Sequence, residues 1–174
     1  SRIYISRIPE DEASLPKPPK QRPVKRQELH GEIRLSAAFV QEKDKNNNFR
    51  PMGSLDSLRD LSMRDEFLDF HGILRYEMDF SFHADSQSTG KETIFLDGAN
   101  EVVSLSVNGQ ESLVRIGSPY RFEVGPFLKD GENHLMIENI TAVFPFVKDH
   151  PSINTGLHPM GLCGKIWLGS LSLI

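Results

Sequence analysis

Residues 73–83, ILRYEMDFSFH, alternate without a break. Leu74, Tyr76, Met78, Phe80 and Phe82 fall on one side, and Arg75, Glu77, Asp79 and Ser81 on the other. A helix would scatter these two sets around its axis. A strand separates them, because successive side chains point to opposite faces. The pattern predicts a strand half-buried in an antiparallel sheet with one solvated side.

The same period of two recurs along the chain. HGEIRLSAAFV (30–40) aligns Ile33, Leu35, Ala37 and Phe39. KETIFLDG (91–98) puts Thr93, Phe95 and Asp97 on one face and Ile94 and Leu96 on the other. EVVSLSVNGQESLVRI (101–116) reads as a hairpin, with Val103, Leu105 and Val107 alternating and Leu113 and Val114 returning. Asn108-Gly109 suits its turn, since a type I′ turn needs positive φ at both central residues. In PYRFEVGPFLKDGENHLMIEN (119–139), Tyr120, Phe122 and Val124 point one way and Arg121 and Glu123 the other. Gly125-Pro126 ends that ladder, because proline cannot donate to it. Phe127 and Leu128 then form an apolar plug in one short helical turn, and Asp130-Gly131 turns the chain into a strand with Leu135 and Ile137 inward. GKIWLGSLSLI (164–174) is the last strand. Between these, Leu55, Leu58, Leu61 and Phe67 could line a short helix or a loop with a single turn. The expected fold is all-β: a jelly-roll β-sandwich of about eight antiparallel strands.

Two regions emerge. Residues 1–28 hold seven Lys/Arg, four Asp/Glu and five of the eleven prolines. LPKPPKQRP (15–23) cannot sustain a helix, so 1–28 reads as an extended Pro-rich linker or strap. RIYISRI (2–8) alternates within it and begins without a lead-in, as though cut from a longer polypeptide. Residues 29–174 form the expected sandwich domain, with a net charge of −7. The net charge of −4 for the whole chain lacks the basic footprint of a nucleic-acid binder. No apolar run approaches a membrane span, and no signal peptide lies within this sequence, which leaves the compartment open. The single cysteine, Cys163, sits in an apolar run and reads as an inert thiol.

Motifs that carry chemistry are absent: there is no G-x-S-x-G, H-E-x-x-H, phosphate loop or dinucleotide fingerprint. The six histidines never fall at i, i+4 spacing. Glu77 and Asp79 share a strand face, as carboxylates do on any solvated sheet. DKNNN (44–48) alternates Asp44, Asn46 and Asn48 like the start of a calcium loop. Phe49 stands where an EF-hand needs glycine and Leu55 where it needs glutamate, so a polar loop is expected. A structural calcium at Asp44, Asn46 and Asn48 is the one cofactor the pattern admits. The long irregular segment 144–161 offers Phe146, His150, Asn154 and His158 for glycan contact, or serves as a flap over a sheet edge or against a further domain. Trp167, the only tryptophan, is either packing or a sugar platform. Asn139-Ile140-Thr141 is a formal glycosylation sequon on an expected strand.

Four stretches, in order, resemble the accessory β-sandwich of family 2 glycoside hydrolases, called the sugar-binding domain, and are similar also to the C-terminal sandwich of family 106 rhamnosidases. FHGILRYEMDFSF (70–82) resembles F-S-G-x-x-x-Y-x-x-x-F, with His71 at the usual serine. TIFLDGANEVVSLSVNGQE (93–111) is similar to L-x-x-G…V-x-V-N-G. Residues 119–139 resemble P-Y-x-x-D-(I/V)-T-x-x-L-K-x-G-x-N-x-L, with Glu123 for the aspartate and Gly125-Pro126 for the threonine. MGLCGKIWL (160–168) resembles S-G-L-x-G-x-V-x-L, with Met160 at the serine.

This resemblance implies a galactose-binding-like fold and a non-catalytic accessory domain of a larger glycoside hydrolase, α-rhamnosidase-like or β-galactosidase-like. In that family the acid and nucleophile reside in a separate barrel, and 174 residues cannot hold roughly 250 more. The implied partner is the catalytic domain of the same polypeptide, with carbohydrate as a further ligand and with no nucleic acid or membrane. The chain stops just after its last strand, which fits the C-terminal end of such a parent. The alternatives are an autonomous carbohydrate-binding module and a protein-interaction or adhesion sandwich, since fold does not fix function.

Overall fold

A computed structural model describes residues 21–39, 48–67, 70–84, 90–141 and 159–173. They form ten strands: β1 Gln21–Glu28, β2 Ile33–Phe39, β3 Arg50–Leu55, β4 Gly72–Phe82, β5 Glu92–Leu96, β6 Val102–Val107, β7 Leu113–Ile116, β8 Arg121–Glu123, β9 Gly131–Ile140 and β10 Ile166–Leu173. They build two sheets, ordered β1-β10-β5-β8 and β3-β2-β4-β9-β6-β7. Every pairing is antiparallel. The architecture is the expected all-β sandwich.

The core lies between the sheets. β4 contributes Leu74, Tyr76, Met78 and Phe80, and β9 contributes Leu135 and Ile137, all buried. Ile94, Phe122, Ile166 and Leu168 face them from the smaller sheet. The described part of the 53–71 stretch takes the loop reading: β3 runs to Leu55, and Asp65–Phe67 form one 3₁₀ turn. Its apolar residues Leu61 and Phe67 are wholly buried, and the Phe67 and Phe70 rings meet edge to face at 5.3 Å. Burying a phenylalanine of this kind stabilises by about 2–3 kcal/mol.

Two of the ten strands were not expected, and both are sheet edges that contain proline. β1 falls within the segment read as a strap, so that segment's last eight residues hydrogen-bond to β10. The register shifts between Pro23 and Lys25, which lets the missing proline donor be tolerated. β3 carries Pro51 at a shift opposite Ser36.

The predicted turn at Asn108-Gly109 is present, with φ of 54° and 71° and a Gln110 N–H to Val107 carbonyl bond of 3.1 Å. It does not close a two-residue hairpin, because β6 and β7 pair only out to Leu105 and Leu113. Instead Asn108 turns toward β9. Its amide nitrogen donates to the Phe127 carbonyl and to Asn133 Oδ1, both at 2.8 Å, and its oxygen accepts from His134 N–H. Buried Asn133 completes the knot, donating to the carbonyls of Lys129 and Gly131 and accepting from Lys129 N–H. Every polar atom of both side-chain amides thus has a partner, as burial requires. The 3₁₀ turn Gly125–Phe127 and the Asp-Gly turn are held in place by this knot.

Candidate functional site

Cross-strand register sets a row on the outer surface of the four-stranded sheet. Glu28 on β1 lies opposite Trp167 on β10, Trp167 opposite Phe95 on β5, and Phe95 opposite Arg121 on β8. The alternate residues Leu168, Ile94 and Phe122 are buried, which fixes this row outward. Trp167 is half-buried, and its indole N–H donates to Asp97 Oδ2 at 2.6 Å. Lys165 Nζ sits 5.4 Å from the indole centroid and 2.7 Å from Glu28 Oε2. Phe95 faces outward yet is buried, because the Arg26 guanidinium lies 4.6 Å and the Arg121 guanidinium 5.8 Å from its ring centroid. One indole with its edge fixed by a carboxylate and an ammonium alongside can stack on an apolar surface and exchange hydrogen bonds.

At the flank where β7 and β8 are the outermost strands, Thr93, Arg115, Pro119, Arg121 and Glu123 enclose an open cleft of about 420 Å³. Its wall is pinned from behind: Gly117 N–H and the Tyr120 hydroxyl both donate to the Glu101 carbonyl, at 3.1 and 2.6 Å.

The outer face of the six-stranded sheet carries a second polar group. His134 Nδ1 lies 2.7 Å from Asp79 Oδ1, and its Nε2 lies 3.4 Å from Glu77 Oε1. Arg34 reaches Asp79 Oδ2 at 3.0 Å. The hydrogen bond from His134, and then that from Arg34, hold the Asp79 carboxyl below its usual range. The imidazole fills the space between Glu77 and Asp79, so the pair does not flank an open cleft as the carboxylates of glycoside hydrolysis do. Among the described residues, no group of three or more His, Cys, Asp or Glu side chains could hold a metal ion. The Cys163 thiol is pushed above its usual range by burial and then by Asp60, which disfavours the nucleophilic thiolate. No helix of the described residues is long and apolar enough to cross a membrane.

Of the site residues read from the sequence, Phe146, His150, Asn154 and His158, with Asp44 and Asn46, lie outside the described residues. Asn48 is exposed just before β3. The sequon asparagine, Asn139, is buried, and its amide donates to the carbonyls of Asn100 and Val102 at 2.8 and 3.3 Å. Sequence reasoning missed the Arg115–Arg121 cleft, because those residues come from strands in different sheets. Alternation placed Arg121 and Glu123 outward, and this was the only available signal.

No family model matches the chain. No curated protein matches it either. Among solved structures, it is similar to a rhamnosidase from Novosphingobium sp. PP1Y, with a TM-score of 0.59 and 20% identity over 96% of this chain and 16% of that one. It is similar also to a β-glucuronidase from Ruminococcus gnavus in complex with uronic isofagomine, with a TM-score of 0.62 and 16% identity over 87% of this chain and 30% of that one. At these identities the likeness is one of fold. The chain spans only 16% of the length of the first and 30% of the second.

Proposed function

We propose that the chain is a non-catalytic accessory domain of a larger glycoside hydrolase, a galactose-binding-like sandwich that braces the catalytic domain. The observation that carries this reading is the ratio of coverages: nearly all of this chain matches a minor part of a rhamnosidase and of a β-glucuronidase. An exposed apolar row supports the bracing role. Ile73, Ile140, Val102 and Ile116 are in register across β4, β9, β6 and β7 on the outer face, with Ile73 and Val102 half-buried. Ile116 is 84% and Ile140 41% exposed. A continuous apolar row of this kind suits packing against a neighbouring domain.

A second reading, an autonomous carbohydrate-binding module, draws on Trp167. Its half-exposed indole and the Asp97 carboxylate beside it supply a ring and a polar group of the kind that a sugar uses.

The test is made in the polypeptide that carries the chain. Ile116→Lys with Ile140→Lys should lower the thermal midpoint of that polypeptide while leaving the midpoint of the isolated chain within a few degrees. A carrying polypeptide that contains no glycosidase domain would sink the proposal. An intact enzyme indifferent to both substitutions would sink the bracing role.

A further inference from the structure

We infer that the cleft between β7 and β8 binds the carboxylate of a small acidic saccharide. The site rests on how its two arginines are held. Arg115 Nε–H donates to the Arg121 carbonyl at 3.0 Å, and its Nη1 donates to the Val114 carbonyl at 2.8 Å. Both acceptors are neutral, so the guanidinium is positioned without losing its charge, and its carbon sits 5.5 Å from the Phe122 ring centroid. Arg121 rests against Phe95, 5.8 Å from its centroid. Among the described residues neither arginine forms an ion pair, whereas Arg34, Arg64 and Arg75 each meet a carboxylate. In a chain of net charge −4, two guanidiniums with no ion pair among the described residues line one cleft beside Glu123. A guanidinium presents a planar fork of donors that matches a carboxylate.

Glu123 narrows the ligand class. It lines the same cleft and makes no ion pair among the described residues. It would repel a bare anion, but it accepts hydrogen bonds from hydroxyls. Arg121 and Glu123 are both outward on β8, two residues and about 7 Å apart along the strand. A molecule with a carboxylate at one end and hydroxyls at the other satisfies both, and an acidic sugar is such a molecule. The volume, about 420 Å³, suits a small ligand. The wall is rigid, since Gly117 and Tyr120 are tied to Glu101. The cleft shares Ile116 with the apolar row of the proposed bracing face, so its binding is read in the isolated chain.

The experiment is a chemical-shift titration of the ¹⁵N-labelled chain at constant ionic strength, with sodium glucuronate, glucose, sodium acetate and sodium sulfate in separate arms. The expected result is saturable shifts with glucuronate, confined to residues 113–123 and the Nε–H of Arg115 and Arg121. Glucose, acetate and sulfate should each bind at least about tenfold more weakly. Arg121→Gln, on the solvated face of an edge strand, should weaken glucuronate by about tenfold with the rest of the spectrum unchanged, and Arg115→Gln should do the same. Glu123→Gln should erode the preference for glucuronate over acetate. Shifts that stay linear, that spread over the surface, or that survive Arg121→Gln overturn the site. Acetate or sulfate binding as tightly as glucuronate overturns the saccharide assignment.

Discussion

The hydroxyl of Tyr76 on β4 accepts a hydrogen bond from the Leu162 N–H at 3.2 Å. The same oxygen packs so closely on Gly161, which has φ of 82°, that a Cβ there would overlap it. Tyr76 belongs to the six-stranded sheet, and residues 161–162 lead into β10 of the other, so this contact ties the two sheets together. Burial pushes the Tyr76 phenol above its usual range.

Tyr76→Phe should destabilise the chain by about 1–3 kcal/mol, because the buried Leu162 N–H loses its acceptor while the packing hardly changes. Urea unfolding measures this. A loss below about 0.5 kcal/mol would mean that water or another acceptor takes the place of the phenol.

Asn133→Ala should cost more, about 2–4 kcal/mol, because it orphans the Lys129 N–H, the Lys129 and Gly131 carbonyls and one Asn108 donor at once. Amide exchange should quicken across residues 125–133 in the same variant. Exchange there that matches the wild type would show that the turn holds itself.

Asp79 supplies a pH signature. Its folded-state pKa is lowered, so its contribution is present above the unfolded carboxyl value and is lost as pH falls through the folded one. The stability difference between wild type and Asp79→Asn should therefore shrink as pH drops from about 4 to about 2. The side chain is 53% exposed, so solvent screening keeps the effect under about 1 kcal/mol. A difference that is level across that window contradicts the assigned interactions.

Asn139 should carry no glycan when the chain is made in a glycosylating host, because its amide is buried and bonded to Asn100 and Val102. Intact mass spectrometry decides it, and a hexose-bearing mass lost on Asn139→Gln would show that this strand end opens.

The interior strands were legible because burial on one face imposes alternation, and β4 displays this over its whole length. The motif residues also explain themselves. Gly98 lies against the Cys163 carbonyl where no Cβ fits, and Asn108 and Asn133 share one amide knot. β1 and β3 were hidden by Pro23 and Pro51, since an edge strand can lose a donor that an inner one cannot. The cleft was not legible, because Arg115 and Arg121 come together only when two sheets stack. Glu77 and Asp79 were visible as a pair, but His134 between them comes from β9, more than fifty residues along the chain.

The proposed accessory role entails that the isolated sandwich performs no hydrolysis of its own. It is tested most directly by incubating the purified chain at high concentration with chromogenic α-rhamnoside, β-glucuronide and β-galactoside. The expected result is chromophore release equal to the protein-free rate with all three substrates. Release that rises in proportion to protein, and falls when Asp79 or Glu77 is replaced by its amide, would contradict it.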